Sequence, residues 1–176
     1  MLRQVTIAGF GGQGVLLMGQ LLAYAGLQEE KEVTWIPAYG AEMRGGTANC
    51  SVSIADSFIS APLFSDPDIL VAMNQPSLDK FEDLLKPGGS LFINSSLIER
   101  KARRQDIKTY YIPANECADA LGEPRVANMV MLGAVLAAES LVNSESILTV
   151  LAKTMASKKH LLPLNSQALD KGAELV

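Results

Sequence analysis

The sequence contains little of what a metal or redox centre needs. Its 176 residues include two cysteines, Cys50 and Cys117, and one histidine, His160. An iron–sulfur cluster is held by four ligands, usually cysteines at close spacing. A structural zinc site needs four nitrogen or sulfur ligands, which often include a Cys-x-x-Cys pair. Neither set is present, so we expect the chain to hold no metal by itself, and we expect its two thiols to be reduced.

The sequence also lacks an excess of positive charge and an uninterrupted apolar segment. It has 15 basic and 19 acidic residues and a net charge of -4, whereas nucleic-acid surfaces are clustered and basic. A basic run at 100–104 is flanked by acidic residues, and we interpret it as a solvated helix end. A glycine-rich loop breaks the longest uncharged stretch, 4–28, and the N-terminus lacks a signal-peptide pattern. We therefore expect a cytoplasmic protein that binds neither nucleic acid nor membrane.

The first third of the chain predicts a βαβ unit followed by a hairpin. A strand over 5–8, a glycine loop, an apolar helix over 15–27 and a strand over 33–36 form the unit. Apolar and polar residues then alternate over 48–54, which is typical of a strand with one polar face. A tight turn leads into 58–60, so we expect an antiparallel hairpin between these two segments.

Strands and helices continue to alternate along the rest of the chain. The remaining predicted elements fall at 69–73, 77–85, 90–94, 108–112, 115–121, 126–141, 144–155 and 166–175. Asn115 is expected to cap its helix, and Asn165 to cap the last helix or support a loop. This pattern predicts an α/β fold over 1–176: one three-layer, Rossmann-like domain with a mostly parallel, mixed sheet and one antiparallel hairpin.

The loop after the first strand reads Gly-Phe-Gly-Gly-Gln-Gly, and Gly9, Gly11 and Gly14 match the dinucleotide pattern Gly-x-Gly-x-x-Gly. An NAD site also needs an acidic residue after the second strand, but that strand ends in Ile-Pro-Ala at 36–38. The loop is not a Walker A motif either, because no Gly-Lys-Ser/Thr follows. Two interpretations stay open: the loop faces an anion or cofactor, or it needs glycine only for packing. Gln13 is expected either to bind a ligand or to orient the loop.

A second loop, at 37–47, carries an arginine beside two glycines. The planar guanidinium of Arg44 suits a phosphate or carboxylate, and Gly45 and Gly46 keep the backbone out of its way. Glu42 is a candidate partner for Arg44. The competing interpretation is an exposed ion pair, which contributes little free energy.

The two loops together resemble the gamma subunit of 2-oxoacid:ferredoxin oxidoreductases. The motifs are Gly-Phe-Gly-Gly-Gln-Gly at 9–14 and Tyr-Gly-Ala-Glu-Met-Arg-Gly-Gly-Thr-Ala-Asn-Cys at 39–50. The resemblance extends through 68–74, 86–89 and 128–134, and so covers nearly the whole chain. The second motif is more similar to the 2-oxoglutarate and branched-chain branches than to the pyruvate branch.

The resemblance implies a non-redox subunit of an enzyme that converts a 2-oxoacid to acyl-CoA and CO2 and passes electrons to ferredoxin. It implies that thiamine diphosphate, Mg and iron–sulfur clusters lie on alpha, beta and delta subunits or their fused equivalents, and that coenzyme A acts with them. This chain alone would be inactive and would carry no catalytic residue.

The resemblance also assigns the two loops a ligand-facing or partner-facing role. The residues concerned are Gly9, Gly11, Gly12, Gln13, Gly14, Glu42, Arg44, Gly45 and Gly46. Two other functions stay open: a free-standing nucleotide-binding α/β protein that uses the glycine loop, and a scaffold that touches no ligand. The sequence does not decide between a single gamma chain and a gamma–gamma dimer.

Overall fold

The computed structural model describes residues 1–39 and 47–176. Six strands lie in these ranges: β1 (Leu2–Phe10), β2 (Glu32–Tyr39), β3 (Thr47–Ala55), β4 (Ile69–Ala72), β5 (Ser90–Asn94) and β6 (Lys108–Ile112). They are accompanied by α1 (Val15–Gln28), α2 (Gln75–Phe81), α3 (Ala114–Ala120), α4 (Ala127–Glu139), α5 (Ser144–Thr154) and α6 (Leu162–Ala173). Short 3-10 turns lie at Glu82–Leu84, Pro124–Val126 and Ala156–Leu161.

The strands form one sheet in the order β2-β3-β1-β4-β5-β6. Strands β1, β4, β5 and β6 are parallel, and β3 runs antiparallel to both of its neighbours, β1 and β2. Ile7 of β1, for example, lies between Cys50 of β3 and Val71 of β4. The predicted α/β class with a mostly parallel, mixed sheet is therefore confirmed.

The predicted partner of β3 is wrong. Residues 58–60 form no strand, and β3 instead pairs with β2, in a hairpin, and with β1. This arrangement buries the apolar side of β3, where Cys50, Val52 and Ile54 are fully covered, whereas Phe58 is exposed. The predicted βαβ unit also needs correction, because β3 separates β1 from β2.

Helices cover both faces of the sheet. On one face, α1 and α3 to α6 pack over the strands and share the larger core, which includes Val5, Ile7 and Phe92. On the other face, Leu78 of α2 joins Leu85 and other apolar side chains over β4 and β5 in a smaller core. None of the helices in the described ranges has the length and apolar character needed to cross a bilayer.

Two predicted helix caps differ from the structure. Asn115 lies inside α3, after Pro113 at the cap position, and its Oδ1 accepts a hydrogen bond from Asn94 Nδ2 at 2.8 Å. Helix α6 begins four residues earlier than predicted, so Asn165 lies within it and donates to the Leu161 carbonyl at 2.7 Å. Asn115 thus has a tertiary partner and Asn165 an intrahelical one. Such hydrogen bonds compete with helix capping.

The basic run at 100–104 is not a solvated helix end. It lies in a connection without helix, and the side chains of Arg100 and Arg103 reach Glu82, whose side chain is fully buried. Arg100 Nη2 lies 2.8 Å from Glu82 Oε2, and Arg100 Nε donates to Asp79 at 2.7 Å. The backbone N–H groups of Arg103 and Arg104 donate to Glu82 Oε1. A buried carboxylate needs such partners, which explains why the cations converge here.

Candidate functional site

The candidate site lies at the carboxyl edge of the parallel strands, beside the end of β1. From β1 the chain leaves through α1 towards β2 on one side of the sheet, whereas β4 leads through α2 to β5 on the other side. Connections therefore diverge at β1. Open α/β sheets bind ligands in the crevice formed at such a point. The glycine loop at 9–14 and the turn after β4 border this crevice.

Gln13 ties the glycine loop to the neighbouring strand. Its Oε1 accepts a hydrogen bond from the Phe10 N–H at 2.7 Å, and its Nε2 donates to the Met73 carbonyl at 3.2 Å. Both ends of the side-chain amide are thus engaged by the chain's own backbone. This geometry fits the expectation that Gln13 orients the loop.

The glycines of the loop face different surroundings. A Cβ on Gly9 would lie 2.6 Å from Gln13 Oε1, and one on Gly14 would lie 2.4 Å from Asn128 Nδ2. Gly14 also has a φ of 75° and Gly12 a φ of 94°, a region that L-residues rarely adopt. Around Gly12, however, the space is open and the residue is exposed. The inner glycines therefore serve packing, while the turn at Gly12 faces outward.

Helix α1 begins at Val15, directly after this loop, and presents an uncapped N-terminus. Gly14 stands at the cap position, no side chain of the described residues caps the helix there, and its first turn contains no acidic residue. The first N–H groups of a helix have no intrahelical acceptor and carry a partial positive charge. Together with the open turn at Gly12, this end of α1 has the features of an anion-binding helix start.

A cluster of side-chain amides lies behind the loop, and the sequence reading missed it. Asn94, fully buried at the end of β5, donates to the Met73 carbonyl at 3.3 Å and to Asn115. Its Oδ1 has no hydrogen-bond partner within the described ranges. Asn74 follows β4 and caps α2 by accepting from the Ser77 N–H at 2.9 Å. The available signal was an asparagine at or just beyond the end of each of two apolar strands.

The second predicted loop is anchored at the same edge. Strand β2 ends at Tyr39 and β3 begins at Thr47, which pairs with Phe10 at the end of β1. The four residues predicted for this loop, Glu42, Arg44, Gly45 and Gly46, lie outside the described residues. The described ends of its two flanking strands, Tyr39 and Thr47, lie at the edge that borders the crevice.

The topology removes the usual position of the ribose-binding acidic residue. In a dinucleotide-binding fold that residue ends the parallel strand next to β1. Here the neighbour on that side is antiparallel β3, which contributes Thr47 beside Phe10. The end of β2 lies two strand spacings from β1, about 10 Å away. The last residues of β2 include Pro37 and Ala38, and none of them carries a carboxylate.

Cys50 lies near the start of α1 but is not set up as a nucleophile. Burial raises the pKa of its thiol to about 12, and the Trp35 side chain and the Gly19 backbone offset only part of that effect. The thiol contacts the Val15 carbonyl at 3.5 Å. Within residues 1–39 and 47–176, no three His, Cys, Asp or Glu side chains group as metal ligands.

Comparison with known proteins finds relatives along the whole chain. A family model described as pyruvate ferredoxin/flavodoxin oxidoreductase matches residues 4–175. The ketoisovalerate oxidoreductase subunit VorA of Methanothermobacter thermautotrophicus is 41% identical over 172 residues, which cover 97% of this chain and 36% of VorA. The 2-oxoglutarate synthase subunit KorC of Methanocaldococcus jannaschii is 37% identical over 150 residues, covering 84% of this chain and 80% of KorC.

Two solved structures share the fold. The gamma subunit of a keto/oxoacid ferredoxin oxidoreductase from Geobacter sulfurreducens has a TM-score of 0.83 and 29% identity, covering 98% of this chain and 96% of the other. A 2-oxoglutarate:ferredoxin oxidoreductase from Magnetococcus marinus, with 2-oxoglutarate, coenzyme A and succinyl-CoA bound, has a TM-score of 0.91 and 25% identity. That match covers 99% of this chain and 31% of the longer one.

The chain thus spans about a third of VorA and of the Magnetococcus polypeptide but nearly all of the Geobacter gamma subunit. The resemblance to gamma subunits that the two loop motifs indicated is confirmed. With a family model that matches almost every residue, the chain belongs to the pyruvate ferredoxin/flavodoxin oxidoreductase family.

Proposed function

We propose that this chain is the gamma subunit of a thiamine-diphosphate-dependent 2-oxoacid:ferredoxin oxidoreductase, and that residues 1–176 form one gamma-type domain. The observation that carries the proposal is the match of nearly the whole chain to a gamma subunit of the same size and to about a third of a chain of a 2-oxoglutarate:ferredoxin oxidoreductase. The enzyme would convert a 2-oxoacid and coenzyme A to acyl-CoA and CO2 and deliver electrons to ferredoxin.

Other chains of the enzyme would carry the redox equipment. Thiamine diphosphate, Mg and iron–sulfur clusters are assigned to alpha, beta and delta subunits or to their fused equivalents. Two cysteines, one of them a buried neutral thiol, suit a chain that leaves electron transfer to its partners. Cytoplasmic location and the absence of a nucleic-acid partner stay predictions for this chain.

For the crevice we propose a phosphate of coenzyme A as the ligand. The support is the uncapped start of α1, the lack of an acidic residue in its first turn and the open turn at Gly12. Gly9, Gly11, Gln13 and Gly14 would shape this turn. On the second loop, Glu42, Arg44, Gly45 and Gly46 are proposed to face the same ligand or a partner chain.

The oxoacid is proposed to be a branched-chain 2-oxoacid or 2-oxoglutarate. The motif Glu-Met-Arg-Gly-Gly-Thr-Ala-Asn-Cys at 42–50 supports this, as do the relatives that act on ketoisovalerate and 2-oxoglutarate by name. The alternative of a free-standing nucleotide-binding protein is not favoured, because the strand next to β1 offers no acidic residue for a ribose.

The test is reconstitution with the companion chains of the same enzyme. The isolated chain is expected to be colourless and to show no reduction of ferredoxin or viologen with a 2-oxoacid and coenzyme A. The assembled enzyme, containing this chain, is expected to show that activity. Turnover by this polypeptide alone, or full activity of the companion chains without it, would contradict the proposal.

A further inference from the structure

The connection between β3 and β4 is an uncharged, apolar-rich segment on the surface. Nine residues between Asp56 and Asp66 carry no charge, and we call this segment, 57–65, the apolar arm. Phe58 is 83% exposed and Leu63 is 71% exposed, which makes them the two most exposed large hydrophobic side chains of the described residues. Single exposed apolar residues are ordinary, but two on one short connection need an explanation.

The arm is attached to the domain at both of its ends. Before it, the Asp56 carboxylate pairs with the Met1 amino group at 2.7 Å. After it, Pro67 is buried and its carbonyl accepts from the Lys86 N–H at 3.0 Å. Within the arm, Ile59 and Phe64 are partly buried, while the residue before each faces solvent.

Phe58 and Leu63 therefore face solvent from a segment that is attached at both ends. A contact surface that is ordered before binding loses less conformational entropy when a partner arrives. Aromatic and aliphatic side chains that enter pockets of a partner commonly dominate the affinity of an interface. The arm thus has the form of a docking element with two apolar anchors.

The arm lies at the edge of the sheet opposite the crevice. Strand β3 ends and β4 begins at the amino edge of the parallel strands, where Leu2 pairs with Ala55. Met1 and Leu2, at the same edge, are also about half exposed. Docking here would leave the carboxyl edge of β1 free for a ligand.

We propose that the apolar arm docks this chain onto a companion chain of the oxidoreductase. The occupant is the polypeptide equivalent to the part of VorA and of the Magnetococcus enzyme that lies beyond the matched third. In those relatives the matched region is about a third of a longer chain. As a gamma subunit, this domain would contact the equivalent of the remaining two thirds non-covalently. This inference rests on the proposed function.

The experiment replaces both anchors with glutamine and compares them with a matched pair elsewhere. The arm variant is Phe58→Gln with Leu63→Gln. The control is Tyr24→Gln with Leu27→Gln, two large exposed residues on α1. Each variant is titrated by calorimetry against the purified companion chains of the same enzyme. We expect the arm variant to bind at least about 100-fold more weakly, and the control to bind like the wild type.

Thermal melting of the isolated chain is expected to be unchanged by the arm variant, because both side chains are exposed in the free chain. Equal binding of wild type and arm variant would overturn the inference, and so would equal weakening by the control. If the wild-type chain forms a dimer that the arm variant loses while assembly persists, the arm covers a second copy and the inference is wrong. Failure of the wild-type chain itself to bind would overturn the proposed function as well.

Discussion

At the scale of single residues, Gly12 allows a direct test for an anion at the crevice. Gly12→Asp and Gly12→Asn place side chains of equal size at the same exposed turn, so both bear the same backbone strain at a φ of 94°. Only aspartate adds a negative charge beside the start of α1. In the assembled enzyme we expect the KM for coenzyme A to be roughly tenfold higher with aspartate than with asparagine, about 1.4 kcal/mol.

The aspartate variant at Gly12, although expected to bind coenzyme A more weakly, should not be the less stable of the two proteins. A carboxylate near a helix N-terminus is favourable by ~0.3–1 kcal/mol, so the aspartate variant should be no less stable than the asparagine variant. Urea unfolding of both proteins measures this. Equal KM values would show that no anion binds near Gly12, and the packing interpretation of the loop would then stand.

Gly14 tests the packing role of the same loop. Gly14→Ala combines an unfavourable φ of 75° with a Cβ placed 2.4 Å from Asn128 Nδ2. We expect it to lower the free energy of unfolding by ~2–4 kcal/mol. A Cβ on Gly12 meets open space, so Gly12→Ala should lower the free energy of unfolding only by the cost of the positive φ, about 1 kcal/mol.

A double-mutant cycle isolates the contact with Asn128. In an Asn128→Ala background the two closest atoms, Nδ2 and Cγ, are gone and only the Cβ at 3.1 Å remains. Gly14→Ala should then lower the free energy of unfolding by only about 1–2 kcal/mol, close to the loss at Gly12. Urea denaturation of the four proteins gives the coupling. If the loss at Gly14 is the same in both backgrounds, backbone strain alone accounts for the glycine.

At the scale of elements, Glu82 joins the end of α2 to the connection between β5 and β6. Burial on its own raises the pKa of the Glu82 carboxyl, but the Arg103 N–H, the Arg100 guanidinium and the Arg104 N–H outweigh it. The pKa therefore lies below its usual value of 4.5. A lowered folded-state pKa contributes stability above the unfolded value, and this contribution is lost as the pH falls through the folded value.

Glu82→Gln is therefore expected to be pH-dependent in its effect. Near neutral pH it should lower the free energy of unfolding by about 3 kcal/mol, because the arginines lose a buried partner. The difference from wild type should shrink as the pH falls below 4.5. Chemical denaturation from pH 3 to pH 7 measures it, with Glu174→Gln, in an exposed pair, as control. A difference that does not vary with pH would exclude an ionic role for Glu82.

The positions of the strands and helices were predicted far better than the order and pairing of the strands in the sheet. The apolar runs at 69–73 and 90–94 identified buried strands because burial on both faces leaves little choice of residue. The insertion of β3 between β1 and β2 was missed, since strand order depends on pairing between distant segments. The alternation over 48–54 indicated a strand but not its partner.

The candidate site was predicted in part for the same physical reason. Closely spaced glycines at 9–14 indicate a tight turn of the local backbone, so the loop and its position before α1 could be predicted from the local sequence. The amide cluster that includes Asn94 and Asn115 joins side chains from separate elements. No local pattern encodes such a contact. The arginines around Glu82 were misread because their partner lies about 20 residues earlier in the chain.

At the scale of the whole molecule, the strand order predicts how the chain treats dinucleotides. Because β3 occupies the place beside β1, no carboxylate among residues 1–39 and 47–176 ends a parallel strand there for a ribose. We expect calorimetric titration of the isolated chain with NADH to give weak binding or none. Micromolar affinity that Gly11→Val abolishes would show that the glycine loop binds dinucleotides despite this strand order.

The central position of β1 also has a consequence during synthesis on the ribosome. Both strands that pair with β1 come later in the chain. Leu2 cannot pair until Ala55 has been synthesised, and Val5 cannot pair until Ile69 has been synthesised. The apolar side chains of β1 and α1 therefore emerge well before the neighbouring strands that complete their burial, and sheet formation depends on long-range contacts. A chain arrested before β4 would expose this surface and would be a substrate for chaperones or proteases rather than a folded precursor.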